Sequence, residues 1–178
     1  MKKIIVTIVC LVFSSIMFSQ KMMTRTGEIR FDATVPGAMD PVIGTSTTVS
    51  SIFDKTNGEL VVQGMVKSFK FKSPLMEEHF NENYMESDKL PKTSFKGKLA
   101  GFDGKPGSYE VDGELTIHGV TNKVKTKVIV TTAGGKYTIS GTFMVKLNDY
   151  KLEVPAMAKK TLAETAKISI KLELEDKK

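Results

Sequence analysis

Apolar and polar residues alternate along most of this chain. In "YEVDGELTI" (residues 109–117), Tyr109, Val111, Gly113, Leu115 and Ile117 fall on one face, with Glu110, Asp112, Glu114 and Thr116 on the other. A period of two is the mark of a half-buried strand, because successive side chains of extended backbone point to opposite sides. The same pattern sets Ile29, Phe31, Ala33 and Val35 on one face. It does so again for Leu60, Val62, Gly64 and Val66, and for Thr93, Phe95, Gly97 and Leu99. Later in the chain come Val124, Val128 and Val130 against Lys123, Lys125 and Lys127, then Tyr137, Ile139, Gly141, Phe143 and Val145, and finally Ile168, Ile170, Leu172 and Leu174. "TSTTVSSIFD" adds a β-branched, polar run.

Turn signals separate these runs. Asn57-Gly58 is a hairpin dipeptide, since both residues tolerate positive φ. "DGKPG" (103–107), "GVTN" (119–122) and "AGG" (133–135) punctuate the rest. About eight strands at hairpin spacing predict an all-β domain, a barrel or a sandwich. One segment breaks the pattern. "SPLMEEHFNENYM" places Leu75, Met76, His79 and Phe80 at helical spacing behind Pro74, which suits a first helical position. It predicts a short helix and loop over residues 74–83. "PAMAKKTLAETA" (155–166) reads as a loop with a helical turn.

Four strands carry glycine in the apolar register: Val62-Gly64-Val66, Phe95-Gly97-Leu99, Val111-Gly113-Leu115 and Ile139-Gly141-Phe143. Glycine inside a strand costs stability and packs nothing. Two causes fit. Glycine lets strands coil sharply enough to close a barrel, and an inward glycine leaves room in the interior. Barrels of about eight strands lie where the lumen is either packed or holds one small ligand. Both causes favour a barrel. On the second, a leucine at position 113 would fill the lumen and leave the fold intact.

Composition adds a compartment. "MKKIIVTIVCLVFSSIMFSQ" has two lysines, an apolar run and then small residues, the layout of a secretory signal peptide over residues 1–20. Its apolar run is too short for a membrane span. The domain then covers residues 21–178, exported to a periplasmic or extracellular space. Loss of Lys2 and Lys3 lowers the formal charge from +6 to +4. Loss of Cys10 removes the only cysteine, so the mature domain has neither a disulfide nor a thiolate for catalysis or metal. With two histidines a zinc site is disfavoured, and no residue pattern calls for a cofactor. The modest positive charge does not imply nucleic acid.

The polar candidates are few. His118 follows Ile117 at a turn, and no nucleophile lies near it in sequence; its ring is expected to bond loop backbone. His79 flanks the apolar helix face, as a polar anchor at the barrel mouth or a solvent-facing residue. Glu77, Glu78, Glu82, Glu86 and Asp88 match no calcium loop. The Lys123, Lys125 and Lys127 stripe reads as an outer wall, or as a peripheral contact with anionic headgroups. Met65 and Met144 fall on the face opposite the glycines, whereas Met76 beside Phe80 is a pocket candidate.

"GELTIHGVTNKV" (113–124) resembles a signature of the YceI-like proteins. "SFKFKSPLMEEHFNENYMESDKLPKTSF" (68–95) resembles that family's second signature, with matching order and spacing. The resemblance covers nearly the whole mature chain. It implies a lipocalin-like antiparallel barrel with a helix near its mouth and export to the periplasm. It also implies binding of polyisoprenoid chains such as quinone tails, with no catalytic activity attached.

The residues and the resemblance lead to one expectation. The chain is a non-enzymatic binding protein that holds an isoprenoid or other lipid in its lumen. The wall is expected from Phe31, Val62, Val66, Phe69, Phe95, Leu99, Val111, Leu115, Ile117, Ile139 and Phe143. Leu75, Met76 and Phe80 cover the mouth, and Gly64, Gly97, Gly113 and Gly141 make the space. The alternative is a packed barrel that acts through its outer face. A homodimer is left open.

Overall fold

The structure is a computed structural model and describes residues 21–176. The expected signal peptide lies outside the described residues. Nine strands run antiparallel: β1 (Lys21–Thr34), β2 (Ile43–Asp54), β3 (Glu59–Met65), β4 (Lys70–Phe71), β5 (Lys92–Leu99), β6 (Gly107–Ile117), β7 (Val120–Ala133), β8 (Lys136–Lys146) and β9 (Leu162–Asp176). Their order around the sheet is β1-β9-β8-β7-β6-β5-β3-β2, and β1 also pairs with β2. That second pairing closes an eight-stranded antiparallel barrel and leaves no open edge among those eight. The two-residue β4 adds to β2 through Gly44↔Phe71 and Thr45↔Lys70.

Local chemistry explains the connections. The β6–β7 turn is two residues, His118 and Gly119, with φ of 49° and 71°, and Ile117 pairs with Val120. The "GVTN" signal thus lies one step late: Val120, Thr121 and Asn122 already belong to β7. Gly134 and Gly135 make the β7–β8 turn in the same left-handed way, at 57° and 79°. Two consecutive positive φ values match the twist of the flanking strands, which is why such turns dominate tight hairpins. β1 starts earlier than the alternation shows, because register shifts between Thr24 and Ile29 break its period.

The helix α1 (Pro74–His79) continues into a π-helical turn, Phe80–Tyr84. Ser73 caps it by accepting from the Met76 N–H at 3.4 Å, and Pro74 occupies a first-turn position where an N–H would have no partner. "PAMAKKTLAETA" forms a single turn over Ala156–Ala158 and then runs into β9.

The interior has two apolar clusters. One contains Met22, Val49, Phe53, Leu60, Leu99, Ile139, Leu172 and Leu174, each 1% exposed or less. The second includes Val66, Met85, Leu115, Val145, Leu147, Leu152 and Ala166, beneath the helical segment and the 147–162 connection. Phe95 packs against both. The outer wall is charged in alternating sign. Lys123, Lys125 and Lys127 on β7 stand opposite Glu114, Asp112 and Glu110 on β6. Lys125 pairs with Glu110 at 3.2 Å. The lysine stripe is therefore matched carboxylate by carboxylate, as cross-strand pairs in a solvated wall are.

Candidate functional site

A cavity of about 290 Å³ lies inside the barrel between the two clusters. Its lining is almost wholly apolar. β1 contributes Ile29 and Phe31, β3 contributes Leu60, Val62 and Gly64, and β5 contributes Phe95. Val111, Leu115 and Ile117 come from β6, Val124 and Val128 from β7, Phe143 and Val145 from β8, and Ile168 and Ile170 from β9. Ile29, Phe31, Phe95, Val124, Phe143, Ile168 and Ile170 point inward yet are only half-buried. In a packed barrel such positions would be fully covered, so their residual exposure is apolar surface turned to the lumen.

The helical segment closes one end. Met76, His79, Phe80 and Tyr84 line the cavity there, together with Phe69, Phe71, Ala158 and Leu162. The Phe80 ring sits among three others: 4.9 Å from Phe71, 5.8 Å from Phe69 and 6.1 Å from Phe31. The Phe71 ring in turn lies over Gly44, where an added Cβ would come within 2.6 Å of it. A more polar cleft adjoins this end. It shares His79, Tyr84, Leu152 and Ala158 with the cavity and adds Glu86, His118, Lys151 and Glu153. The mouth therefore lies where the helical segment faces the 151–158 connection.

The wall expected from the sequence divides into two groups. Phe31, Val62, Gly64, Val66, Phe69, Met76, Phe80, Phe95, Val111, Leu115, Ile117 and Phe143 all line the cavity. Six do not. Leu75 is 59% exposed, on the side of α1 that faces solvent. Leu99 and Ile139 are fully buried in the packed cluster beyond the cavity. Gly97, Gly113 and Gly141 are approached by neighbours instead of facing open space. A Cβ at Gly97 or Gly113 would come within 2.5 Å of Phe95 Cζ and within 2.6 Å of the Asp112 or Lys96 carbonyl oxygen. At Gly141 it would meet Val128 Cγ1 at 3.0 Å. These glycines make room for a ring and for closely approaching strands. Only Gly64 of the four lines the lumen, with Thr93 Cγ2 at 3.3 Å as its nearest neighbour.

The alternation of β7 and β9 already placed Val124, Val128, Ile168 and Ile170 on an inner face, though not at the cavity. Phe71 and Val42 line it without any sequence signal, because they sit in a two-residue strand and a loop.

His118 joins three loops at the mouth. Its Nδ1 lies 3.3 Å from the Tyr150 carbonyl and its Nε2 3.3 Å from a Glu86 carboxylate oxygen. Both partners accept, so each bond requires a proton on that ring nitrogen. Glu86, His118 and Lys151 are the non-glycine residues with positive φ among the described residues, and all three line the mouth cleft. Glu86 is held below the usual carboxylate range, first by the bond from Lys89 and then by His118. Among the described residues no group of three or more His, Cys, Asp or Glu side chains is placed to hold a metal ion.

A closed antiparallel barrel with an apolar lumen and a helix at its mouth defines a class of barrel binding proteins. Residues 14–174 match the family model of the YceI-like domain, and the chain belongs to that family. The fold is shared with a polyisoprenoid binding domain from Saccharophagus degradans implicated in plant cell wall breakdown, at 14% identity and a TM-score of 0.76 over 89% of this chain and 99% of that one. It is also shared with BcnA of Burkholderia cenocepacia, at 19% identity and a TM-score of 0.69 over 82% and 94%. A Campylobacter jejuni YCEI protein aligns at 18% identity and a TM-score of 0.66 over 79% and 88%. No curated protein matches the chain.

Proposed function

We propose that this chain is an exported, non-enzymatic binding protein that holds the apolar chain of an isoprenoid or similar lipid in its lumen. One observation carries the reading: inward Phe31, Phe95, Phe143 and Ile168 keep part of their surface uncovered around a cavity inside the barrel. Covering such surface is worth about 25 cal/mol per Å², and an apolar chain supplies the cover without needing polar partners inside. The polar cleft at His79, Glu86 and Lys151 would receive the ligand's head group, with the tail running inward past Phe80. The solved polyisoprenoid binding domain of the same fold supports the choice of ligand class. The apolar, lysine-flanked stretch at residues 1–20 supports export to the periplasm or beyond.

Native mass spectrometry of the protein purified from its own compartment tests this reading. A retained mass that fragments to a lipid supports it. A bare chain mass, under conditions that keep known lipid complexes intact, overturns it.

A further inference from the structure

Met39 and Met157 are the most exposed large apolar residues among the described ones, at 97% and 96%. Each projects from a loop of similar sequence, "VPGAM" (35–39) and "VPAM" (154–157). The Val35 N–H donates to the Thr161 carbonyl at 3.1 Å, so the two loops leave the barrel side by side. Val42, Ala158 and Thr161, at the bases of these loops, line the lumen. Both methionines therefore stand at the end where the lumen opens, and Met157 also borders the mouth cleft. Leu75, on the solvent side of α1, adds a third apolar tip there. The loops are pinned at their bases. The Val42 N–H donates to the Thr34 hydroxyl at 3.0 Å, and the Thr161 N–H to the Ala158 carbonyl at 2.9 Å.

Single exposed apolar residues are ordinary. Three of them, on separate segments around one opening, form a pattern whose shape points to its cover. Three side chains offer well under the roughly 800 Å² that each side of a standard protein interface buries. They also protrude singly from a polar rim, whereas a protein partner packs a continuous surface. A bilayer takes such tips one at a time, because its headgroup–acyl boundary is fluid and apolar on one side. Charge on the rim is mixed: Lys72, Lys151 and Lys160 stand among Asp40, Glu78 and Glu153. The rim therefore selects no strongly anionic partner, and its lysines can hold their ammonium groups at headgroup level while the tips sit deeper.

We propose that the mouth rim docks on a lipid bilayer. Met39, Leu75 and Met157 insert at the headgroup–acyl boundary, and the lumen opens toward the membrane. None of the three lines the lumen, so docking is separable from whatever the lumen holds.

Residues 21–178 contain no cysteine. Met39→Cys, Met157→Cys and Ile129→Cys in that mature chain each take a single environment-sensitive fluorophore. Ile129 is exposed on β7, toward the end away from the mouth. On phosphatidylcholine vesicles the emission should shift to the blue at 39 and 157 and stay fixed at 129. The shift should persist in about 0.5 M salt, where exposed charges are screened within a few ångströms. The unlabelled triple variant Met39→Ser, Leu75→Ser, Met157→Ser should lose vesicle co-sedimentation by about tenfold or more. Its circular dichroism and its affinity for a fluorescent prenyl probe should match the wild type. Docking through the rim is overturned by no shift at 39 and 157, by a shift at 129 alone, or by undiminished co-sedimentation of the triple variant. Blue shifts at 39 and 157 in a chain that binds no prenyl probe support docking and overturn only the lumen reading.

Discussion

Gly97 and Gly113 face each other across the β5–β6 ladder, and a single ring, that of Phe95, occupies the room above both. The pair therefore serves packing in the wall of the barrel. Gly113→Leu, which on the sequence alone should fill the cavity and spare the fold, would drive a side chain into the Phe95 ring and the Lys96 carbonyl. Overpacking of this kind costs about 1–3 kcal/mol. Urea denaturation of Gly113→Ala should already show a loss of this size; an unchanged midpoint would contradict the packing role.

Filling the lumen needs a position that truly faces it. Val124 is half-buried, lines the cavity and stands opposite Gly113. Val124→Trp is expected to keep the barrel folded and to weaken binding of a fluorescent prenyl probe at least tenfold. Equal binding in wild type and variant would place the ligand elsewhere.

Phe80 holds the helical segment onto the barrel through its contacts with Phe31, Phe69 and Phe71. Aromatic pairs contribute about 0.5–1.5 kcal/mol each, so Phe80→Ala should destabilise by about 2–4 kcal/mol. It also removes a ring from the mouth, and stopped-flow displacement should show faster ligand release. A slower or unchanged release rate would mean that Phe80 does not gate the mouth.

His118 occupies a left-handed turn position, a conformation that costs a β-branched residue about 1–2 kcal/mol and that Asn tolerates. His118→Val should thus lose more stability than His118→Asn. Both should still bind the probe, because the ring lines the outer cleft and not the lumen. Loss of binding in a stably folded His118→Asn would give the histidine a direct role.

The pH response follows from the carboxylates. Asp54 is held below the usual range by bonds from the Thr56 N–H and hydroxyl, Glu77 by Lys70, and Asp103 by the Tyr109 hydroxyl. A carboxylate with a depressed folded-state pKa binds protons less readily than in the unfolded chain. Its contribution is complete above the ordinary values near 4 and is lost as pH falls through the depressed ones. All three groups are well solvated, so the effect is modest. The melting temperature should decline as pH drops from about 5 toward 2; a rise over that interval would contradict the assignment.

Period-two alternation made the barrel legible in the sequence, because one face of each strand is buried and the other wet. The same alternation found inner faces such as Leu115 and Phe143. It could not tell depth along a strand: Ile139 and Phe143 share a face, yet one is sealed in the packed cluster and the other borders the cavity. Depth depends on cross-strand register, which a single strand does not encode. The glycines misled for a related reason. Whether an inward glycine faces open space or a neighbour's ring is decided by the strand beside it, as Gly64 and Gly113 show. Phe71 was out of reach because two residues carry no period.

The central claim is that an apolar chain sits inside the barrel and not on its wall. Nuclear Overhauser contacts between bound farnesol and selectively labelled Val and Ile methyl groups measure this directly. The account predicts contacts to Val62, Val111, Val128 and Ile168, which line the cavity, and none to Ile52, Val61 or Ile129, which are exposed outside it. Contacts confined to Ile52, Val61 and Ile129 would contradict it and move the function to the outer face.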